Sequence, residues 1–264
     1  MRYLGARSLR QPVTRAFWLC LTIPAVLLPQ VQGPGDAPSI VKAPAGGALL
    51  TRAVELYEKR QYGAALGTFR EAADSGVVEA MMYLGVMYAG GQGTARNYPL
   101  AQIWFNRAAG AGDSQAMCNL GVMYYQGAGT SKNYAEAARW FRRGAVAGNS
   151  QAMFNLGALF RDGAGVAVDY EEAMRWFRKA AEDGNSMAMN SIGVMYQRNQ
   201  GVPADYEEAM NWFRKAADNG NGAAMYNIGL SYQKGLGVIV DQEEAAKWFA
   251  KAAAAGEQDA LKIH

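Results

Sequence analysis

The sequence contains almost no histidine or cysteine, and this scarcity excludes most of the side-chain chemistry that enzymes use. Its 264 residues include one histidine, His264, so an interior histidine base, a histidine-aligned nucleophile and a histidine-rich metal site are excluded. One of the two cysteines, Cys20, falls in an N-terminal apolar run, and removal of that run leaves only Cys118. A disulfide within such a mature chain and a multi-cysteine zinc site are then excluded. We predict that Cys118 is a small packing residue, with a reactive thiol as the alternative.

Acidic side chains are absent from the N-terminal 33 residues, which differ from the rest of the chain. The apolar run 16–28 is 13 residues long and follows four arginines, Arg2, Arg7, Arg10 and Arg15. This pattern predicts a Sec-type signal peptide over residues 1–33, since the run is too short for a comfortable membrane span. Because Pro34 follows the cleavage position and Pro24 interrupts the run, an uncleaved membrane anchor is the alternative, and a mitochondrial presequence is less favoured. We expect an exported protein, periplasmic or secreted, or one anchored in the inner membrane and facing the periplasm.

The charge balance outside this leader gives no support for nucleic-acid binding. The whole chain has 26 basic and 23 acidic residues and a formal net charge of +3. Four of the basic residues lie in the leader, so the remainder has 22 basic and 23 acidic residues and a formal charge of −1. No basic patch interleaved with aromatic residues replaces the charge of the leader, and we predict no nucleic-acid partner.

Most of the chain repeats at a fixed period of 36 residues, with no insertion. Two sets of invariant residues mark the period: Trp104, Trp140, Trp176, Trp212 and Trp248, and Gly85, Gly121, Gly157, Gly193 and Gly229. The five predicted repeats span 79–114, 115–150, 151–186, 187–222 and 223–258. A period of this length is typical of an array in which no unit buries its apolar face alone, so neighbouring units stack on one another.

Each repeat is predicted to be a pair of helices. In the third repeat, Ala152, Leu156 and Phe160 are spaced i, i+4 and i+8, which predicts a first helix at about 151–161. Apolar residues with the same periodicity predict a second helix at about 170–182. The sequence therefore predicts an all-α protein, a right-handed superhelical α-solenoid of helix-turn-helix repeats.

The ends of the helices carry their own signals. Asp169 followed by Glu172 has the spacing of a capping box at the start of the second helix. Asn199 replaces the first loop glycine, Gly163, in the fourth repeat, so we predict a left-handed backbone at this position. Gly157 in the middle of the first helix costs about 1 kcal/mol relative to alanine. We expect close contact with the Trp-Phe pair of the second helix to offset that cost.

These residues resemble the Sel1-like repeat family, which is similar to tetratricopeptide repeats but has a longer loop between its helices. Five motifs of the third repeat carry the resemblance: AMFNLGALF at 152–160, GAGV at 163–166, DYEEA at 169–173, WFRKAA at 176–181 and DG at 183–184. The resemblance covers 180 of the 264 residues in five copies. It implies an adaptor that holds macromolecular complexes together, in bacterial envelopes or in the eukaryotic secretory pathway. Some exported members pair cysteines within each repeat; this chain does not, so its stability is expected to come from packing.

The segments that flank the repeats are predicted to be a linker, a capping repeat and a short helical stub. Residues 34–47 are rich in Pro, Gly and Ala and predict a flexible linker. Residues 48–78 resemble a degenerate repeat that caps the stack, although the segment 50–58 does not match a first helix. Residues 259–264 are predicted to be a truncated helix stub. The stub either suffices to cover the last repeat or leaves an edge that docks a second copy or a partner.

Features that could suggest catalysis are predicted to have structural roles instead. The Gly-x-Gly loop at 163–165 precedes a helix without the lysine of a P-loop, and it recurs in other repeats. Glu171 and Glu172 fall in a first helical turn, where anions suit the helix dipole. We predict no enzyme activity, no cofactor and no metal site. The alternatives are hydrolysis of cell-wall or β-lactam substrates, which is credited to some members of the family, and self-assembly through the C-terminal edge.

Recognition is predicted for the first helices, because in solenoids of helical hairpins these helices line the concave surface. The candidate residues vary between repeats and form three rows: Tyr83, Asn119, Asn155, Ser191 and Asn227; Phe154, Asn190 and Tyr226; and Tyr125, Arg161, Gln197 and Gln233. The second and third rows lie seven positions apart and so share one helix face. An asparagine amide both donates and accepts, so we predict that these rows bind a protein or the backbone of an extended peptide. The alternative is that the asparagines bond within the hairpin.

Overall fold

The chain is built from α-helices joined by short loops. The computed structural model describes residues 45–258 and 260, and these contain twelve α-helices and no β-strand. The helices are α1 Ala45–Glu58, α2 Tyr62–Asp74, α3 Val78–Gly90, α4 Tyr98–Gly110, α5 Ser114–Gln126, α6 Tyr134–Val146, α7 Ser150–Asp162, α8 Tyr170–Glu182, α9 Ser186–Gln197, α10 Tyr206–Asp218, α11 Gly222–Lys234 and α12 Gln242–Ala254. Within this described part of the chain, every helix is too short or too polar to span a membrane.

Consecutive helices form six hairpins that stack in chain order. The most extensive contacts lie within each hairpin, from α1 with α2 to α11 with α12. The second helix of each hairpin also packs against the first helix of the next, as α6 packs against α7. First helices are therefore covered on two sides, and most residues of α3, α5 and α7 are buried. The predicted all-α solenoid is confirmed.

A glycine in the middle of each first helix allows the two helices of a hairpin to approach closely. A Cβ atom at Gly157 would lie 2.9 Å from two ring carbons of Phe177, whose side chain is fully buried. The same relation holds in the other four repeats between Gly85 and Phe105, Gly121 and Phe141, Gly193 and Phe213, and Gly229 and Phe249. The expected contact with the Trp-Phe pair is therefore made by the phenylalanine, which packs where a Cβ would otherwise stand.

A second set of glycines fixes how one repeat meets the next. Gly165, in the loop between α7 and α8, has a φ of +73°, and a Cβ at this position would overlap the backbone of Tyr134 in the preceding repeat. Equivalent contacts join Gly93 to Tyr62, Gly129 to Tyr98, Gly201 to Tyr170 and Gly237 to Tyr206. Each loop thus rests on the start of the second helix of the preceding hairpin.

In the five repeats the second helix begins with a side-chain cap, but the capping box is incomplete. Asp169 accepts a hydrogen bond at 2.8 Å from the backbone N–H of Glu172, as predicted. The side chain of Glu172 turns forward rather than back, because its Oε1 accepts a hydrogen bond at 2.9 Å from Nε1 of Trp176. Glu208 and Trp212 make the same bond at 2.8 Å in the fourth repeat. The reciprocal bond of a capping box, from the backbone N–H of the N-cap residue to the glutamate, is therefore wrong as a prediction in these repeats. The glutamate carboxylate accepts from the indole N–H instead.

The N-terminal flank differs from its prediction at one boundary. Helix α1 begins at Ala45, within the predicted linker, and Gly46 is buried, where an added Cβ would lie 2.7 Å from Ser75 Oγ and from Val77 Cγ2. Glycine here serves close packing rather than flexibility. The segments predicted to be a signal peptide, a linker before Ala45 and a stub at 259–264, apart from Ala260, lie outside the described residues. The left-handed backbone predicted for Asn199 is confirmed by its φ of 54°.

Candidate recognition surface

First helices approach one another in the first three of the five repeats. Contacts between first helices of neighbouring repeats, α3 with α5 and α5 with α7, are more extensive than any contact between second helices in the described residues. Elements on the inside of a curved stack come closest together, so this pattern favours an inward position for α3, α5 and α7. All twelve predicted binding residues lie on α3, α5, α7, α9 and α11.

Five of these twelve residues are too deeply buried to contact a partner. They are Tyr83, Asn119, Phe154, Asn155 and Ser191, and none is more than 6% exposed. Their assignment to the binding surface is therefore corrected. The physical reason is that each of these first helices packs against its own second helix and against the second helix of the preceding hairpin, so more than one helix face is covered.

The buried asparagines hydrogen-bond inside the solenoid. Asn155 accepts at 3.2 Å from Nε2 of Gln151, and its own Nδ2 donates to Sγ of Cys118 at 3.7 Å. The second bond joins the third repeat to the second. Asn119 accepts in the same way from Nε2 of Gln115 at 3.3 Å. The bond to Asn119 stays within its own helix, as the alternative interpretation expects, whereas Asn155 also joins neighbouring repeats.

The remaining seven residues are accessible, and we call them the inner face. They are Tyr125, Arg161, Asn190, Gln197, Tyr226, Asn227 and Gln233. On α9 and α11 they form a connected polar surface, because Asn227 Nδ2 donates to Asn190 Oδ1 at 2.9 Å. Gln197 Nε2 also donates to Ser231 Oγ at 3.4 Å. Each amide has more donors and acceptors than these bonds use, so the surface retains capacity to bind another chain.

The inner face continues on α5 and α7 with an aromatic and a charged residue. The Tyr125 and Tyr134 rings are 5.0 Å apart between centroids. Arg161 pairs with Asp162, at 2.7 Å between Nε and Oδ1, and its guanidinium lies 5.9 Å from the ring centroid of Phe177. These contacts hold both side chains in defined positions at the edge of the surface.

Burial makes the phenols near the first helices weaker acids. It raises the pKa of Tyr125 to about 12, and nearby Tyr134 and Asp162 act in the same direction. Burial also raises the pKa of Tyr83 to about 12 and that of Tyr57 above its usual value. These hydroxyls stay protonated at neutral pH and act as hydrogen-bonding groups rather than as general bases. In the part of the chain that the structure describes, no cluster of His, Cys, Asp and Glu could hold a metal ion.

Comparison with known families and structures matches this architecture. The model of the Sel1 repeat matches five consecutive segments, residues 78–113, 114–149, 150–185, 186–221 and 222–257. No curated protein matches the chain.

Solved structures are similar over most of this chain. A Sel1 repeat protein from Oxalobacter formigenes is 31% identical with a TM-score of 0.76, and the match covers 81% of this chain and 86% of that one. The protein c5321, described as a protective antigen in uropathogenic Escherichia coli with an SLR fold, is 33% identical with a TM-score of 0.74. That match covers 81% of this chain and 47% of that one. The immunity protein PA5088 from Pseudomonas aeruginosa is 19% identical with a TM-score of 0.55, over 86% of this chain and 89% of that one, and shares the fold alone.

Proposed function

This chain belongs to the Sel1 repeat family, and from that premise we propose that it is a non-catalytic adaptor which binds a protein or an extended peptide along its inner face. Proteins of this family generally mediate protein–protein interactions and are generally non-catalytic. We further propose that the adaptor works in the cell envelope or outside the cell, because the leader at 1–33 has the composition of a signal peptide. An uncleaved anchor would hold it at the inner membrane.

The observation that carries the proposal is the row of accessible amides across α9 and α11. Asn190 and Asn227 are half-buried and bonded to each other, so they are held in place while part of each amide stays accessible. Gln197 and Gln233 extend the row along the same helices. The backbone of an extended peptide offers alternating N–H and C=O groups, and amides can pair with both. The half-buried ring of Tyr226 adds an apolar surface beside them.

Affinity capture from an extract of the cell envelope tests this proposal. The bait is compared with a variant in which Asn190, Gln197 and Gln233 are changed to alanine, and with a matched variant carrying Asn155→Ala, which alters a buried amide. The proposal predicts a partner that the parent and Asn155→Ala retain and the triple variant loses. Circular dichroism establishes that the variants are folded. Equal capture by all three proteins would contradict the proposal.

A further inference from the structure

A cleft beside the second helix of the second repeat has a lining whose residue types differ from those of the inner face. It has a volume of about 820 Å³ and lies along α6, closed on one side by Gly165 and Val166 in the loop between α7 and α8. Its apolar lining, which we call the floor, includes Met117, Ala138 and Val146. Val146 is 77% exposed, so its side chain is available to an apolar group of a partner.

Three arginines form the polar wall of this cleft. Arg139, Arg142 and Arg143 are spaced i, i+3 and i+4 on α6, so they lie on neighbouring parts of one helix face. Arg139 pairs with Glu136 at 3.1 Å, and its side chain is 78% exposed. No acidic side chain in residues 45–258 forms an ion pair with the other two.

Aromatic rings hold those two guanidinium groups in place. The guanidinium of Arg143 lies 4.3 Å from the ring centroid of Trp140, and that of Arg142 lies 5.6 Å from the ring centroid of Phe160. A guanidinium stacked on an aromatic face keeps its N–H donors at its edge, where they can reach a carboxylate. The wall is therefore preorganised for anionic groups.

The charge balance of α6 differs from that of the next two second helices, whereas a basic residue lies over the Trp ring in every repeat. Helix α6 carries three arginines and one glutamate, whereas α8 carries three basic and three acidic residues and α10 carries two basic and three acidic residues. The acids that end α8 and α10, Glu182 and Asp218, are replaced in α6 by Val146. The cleft thus gains an apolar contact and loses a repelling carboxylate at the same position.

We propose that this cleft docks an acidic amphipathic segment of a partner protein, with an apolar anchor side chain on the floor and carboxylates on the arginines. The occupant is an acidic peptide because the apolar floor and the basic wall are complementary to such a segment. An anionic membrane would require a broad basic surface, and the next two second helices toward the C-terminus, α8 and α10, instead begin with pairs of glutamates, Glu171 with Glu172 and Glu207 with Glu208. This site lies outside the inner face and is independent of the function proposed for it.

Fluorescence anisotropy with the full chain tests this docking site. The probe is a labelled amphipathic peptide of about twelve residues with glutamates along one face and leucine and phenylalanine along the other, and the control peptide has lysine in place of glutamate. We expect the acidic peptide to bind, the lysine peptide not to bind, and the affinity to fall as salt screens the charges. Equal binding of the two peptides would overturn the proposal.

Matched variants assign the binding to α6. Changing Arg139 and Arg142 to glutamine should raise the Kd of the acidic peptide by about tenfold, equivalent to about 1.4 kcal/mol of binding free energy. The same changes at the equivalent positions of α8, Arg175 and Arg178, should leave its Kd within about twofold, since they lie outside the cleft. An equal loss of affinity in the α6 and α8 variants would overturn the assignment of the site to α6.

Two further measurements distinguish this cleft from the inner face and from a lipid-binding surface. Val146→Glu places on α6 the acid that α8 has at the equivalent position. The protein should remain folded, because Val146 is exposed. The variant should also abolish binding of the acidic peptide, because the new carboxylate repels it. The inner-face variant Gln197→Ala should leave the peptide Kd unchanged, which keeps the two proposals separately testable. Binding of phosphatidylglycerol vesicles that is lost on Arg139→Gln and Arg142→Gln, without binding of the peptide, would overturn the peptide assignment in favour of a lipid surface.

Discussion

The mid-helix glycines show at the scale of a single residue how packing outweighs helix propensity. Gly157→Ala should destabilise the protein by about 1–3 kcal/mol, because the new Cβ would stand 2.9 Å from the ring of the buried Phe177. Gly67 in α2 is the matched control, since it is also helical but has no neighbouring atom within 4 Å of an added Cβ. Gly67→Ala should stabilise by about 0.5–1 kcal/mol. Urea unfolding followed by circular dichroism compares the two, and a stabilising Gly157→Ala would contradict the role of close packing at this glycine.

Single residues also mark where prediction from the sequence ends. The helical spacing of Asn119, Asn155 and Ser191 correctly places them on the first helices, but their burial depends on the second helix of the preceding hairpin. A position in one helix carries no information about how many neighbouring helices cover it. The arginines of the α6 cleft were missed for a related reason. The signal was available as a departure from the repeat, WFRRGA at 140–145 against WFRKAA at 176–181.

At the scale of elements, the loop glycines set the relation between consecutive hairpins. Gly165→Ala and Gly184→Ala both place a side chain on a left-handed backbone, with φ of +73° and +80°, which costs about 1–2 kcal/mol. Only at Gly165 would the Cβ also overlap the backbone of Tyr134, whereas an added Cβ at Gly184 meets no atom within 4 Å. Gly165→Ala should therefore destabilise by about 1–3 kcal/mol more than Gly184→Ala.

Thermal and urea unfolding of the two alanine variants measures this difference. Equal destabilisation would mean that the contact between loop and preceding helix contributes nothing to the stability of the stack. Gly256→Ala provides a further control, because it too has a left-handed backbone and no neighbour within 4 Å.

The helices themselves were largely predictable, because apolar periodicity and caps are local signals. The third repeat was predicted at 151–161 and 170–182 and forms α7 at Ser150–Asp162 and α8 at Tyr170–Glu182. The side chain of Glu172 was not predictable in the same way, since its choice between its own helix N-terminus and Trp176 depends on the orientation of the indole. The start of α1 was missed because Gly46 was interpreted as a flexible residue, whereas its packing against Ser75 and Val77 is tertiary.

At the scale of the whole molecule, the C-terminal edge bears on the oligomeric state. Ala260 is 2% exposed, and its equivalents Ala188 and Ala224 are fully buried. The position after the last repeat is thus covered as it is inside the stack, so we expect a monomer. Sedimentation velocity should give a coefficient that does not change with concentration. A coefficient that rises with concentration would favour the self-assembly alternative.

Photo-crosslinking in living cells tests the central claim, recognition through the inner face, most directly. A photoreactive amino acid is placed singly at Gln197 and Gln233 on the inner face, and at Arg214 on the exposed side of α10 as the control. We predict a discrete adduct with one partner protein from positions 197 and 233 and none from position 214. Adducts that form equally at all three positions, or only at position 214, would contradict recognition through the inner face.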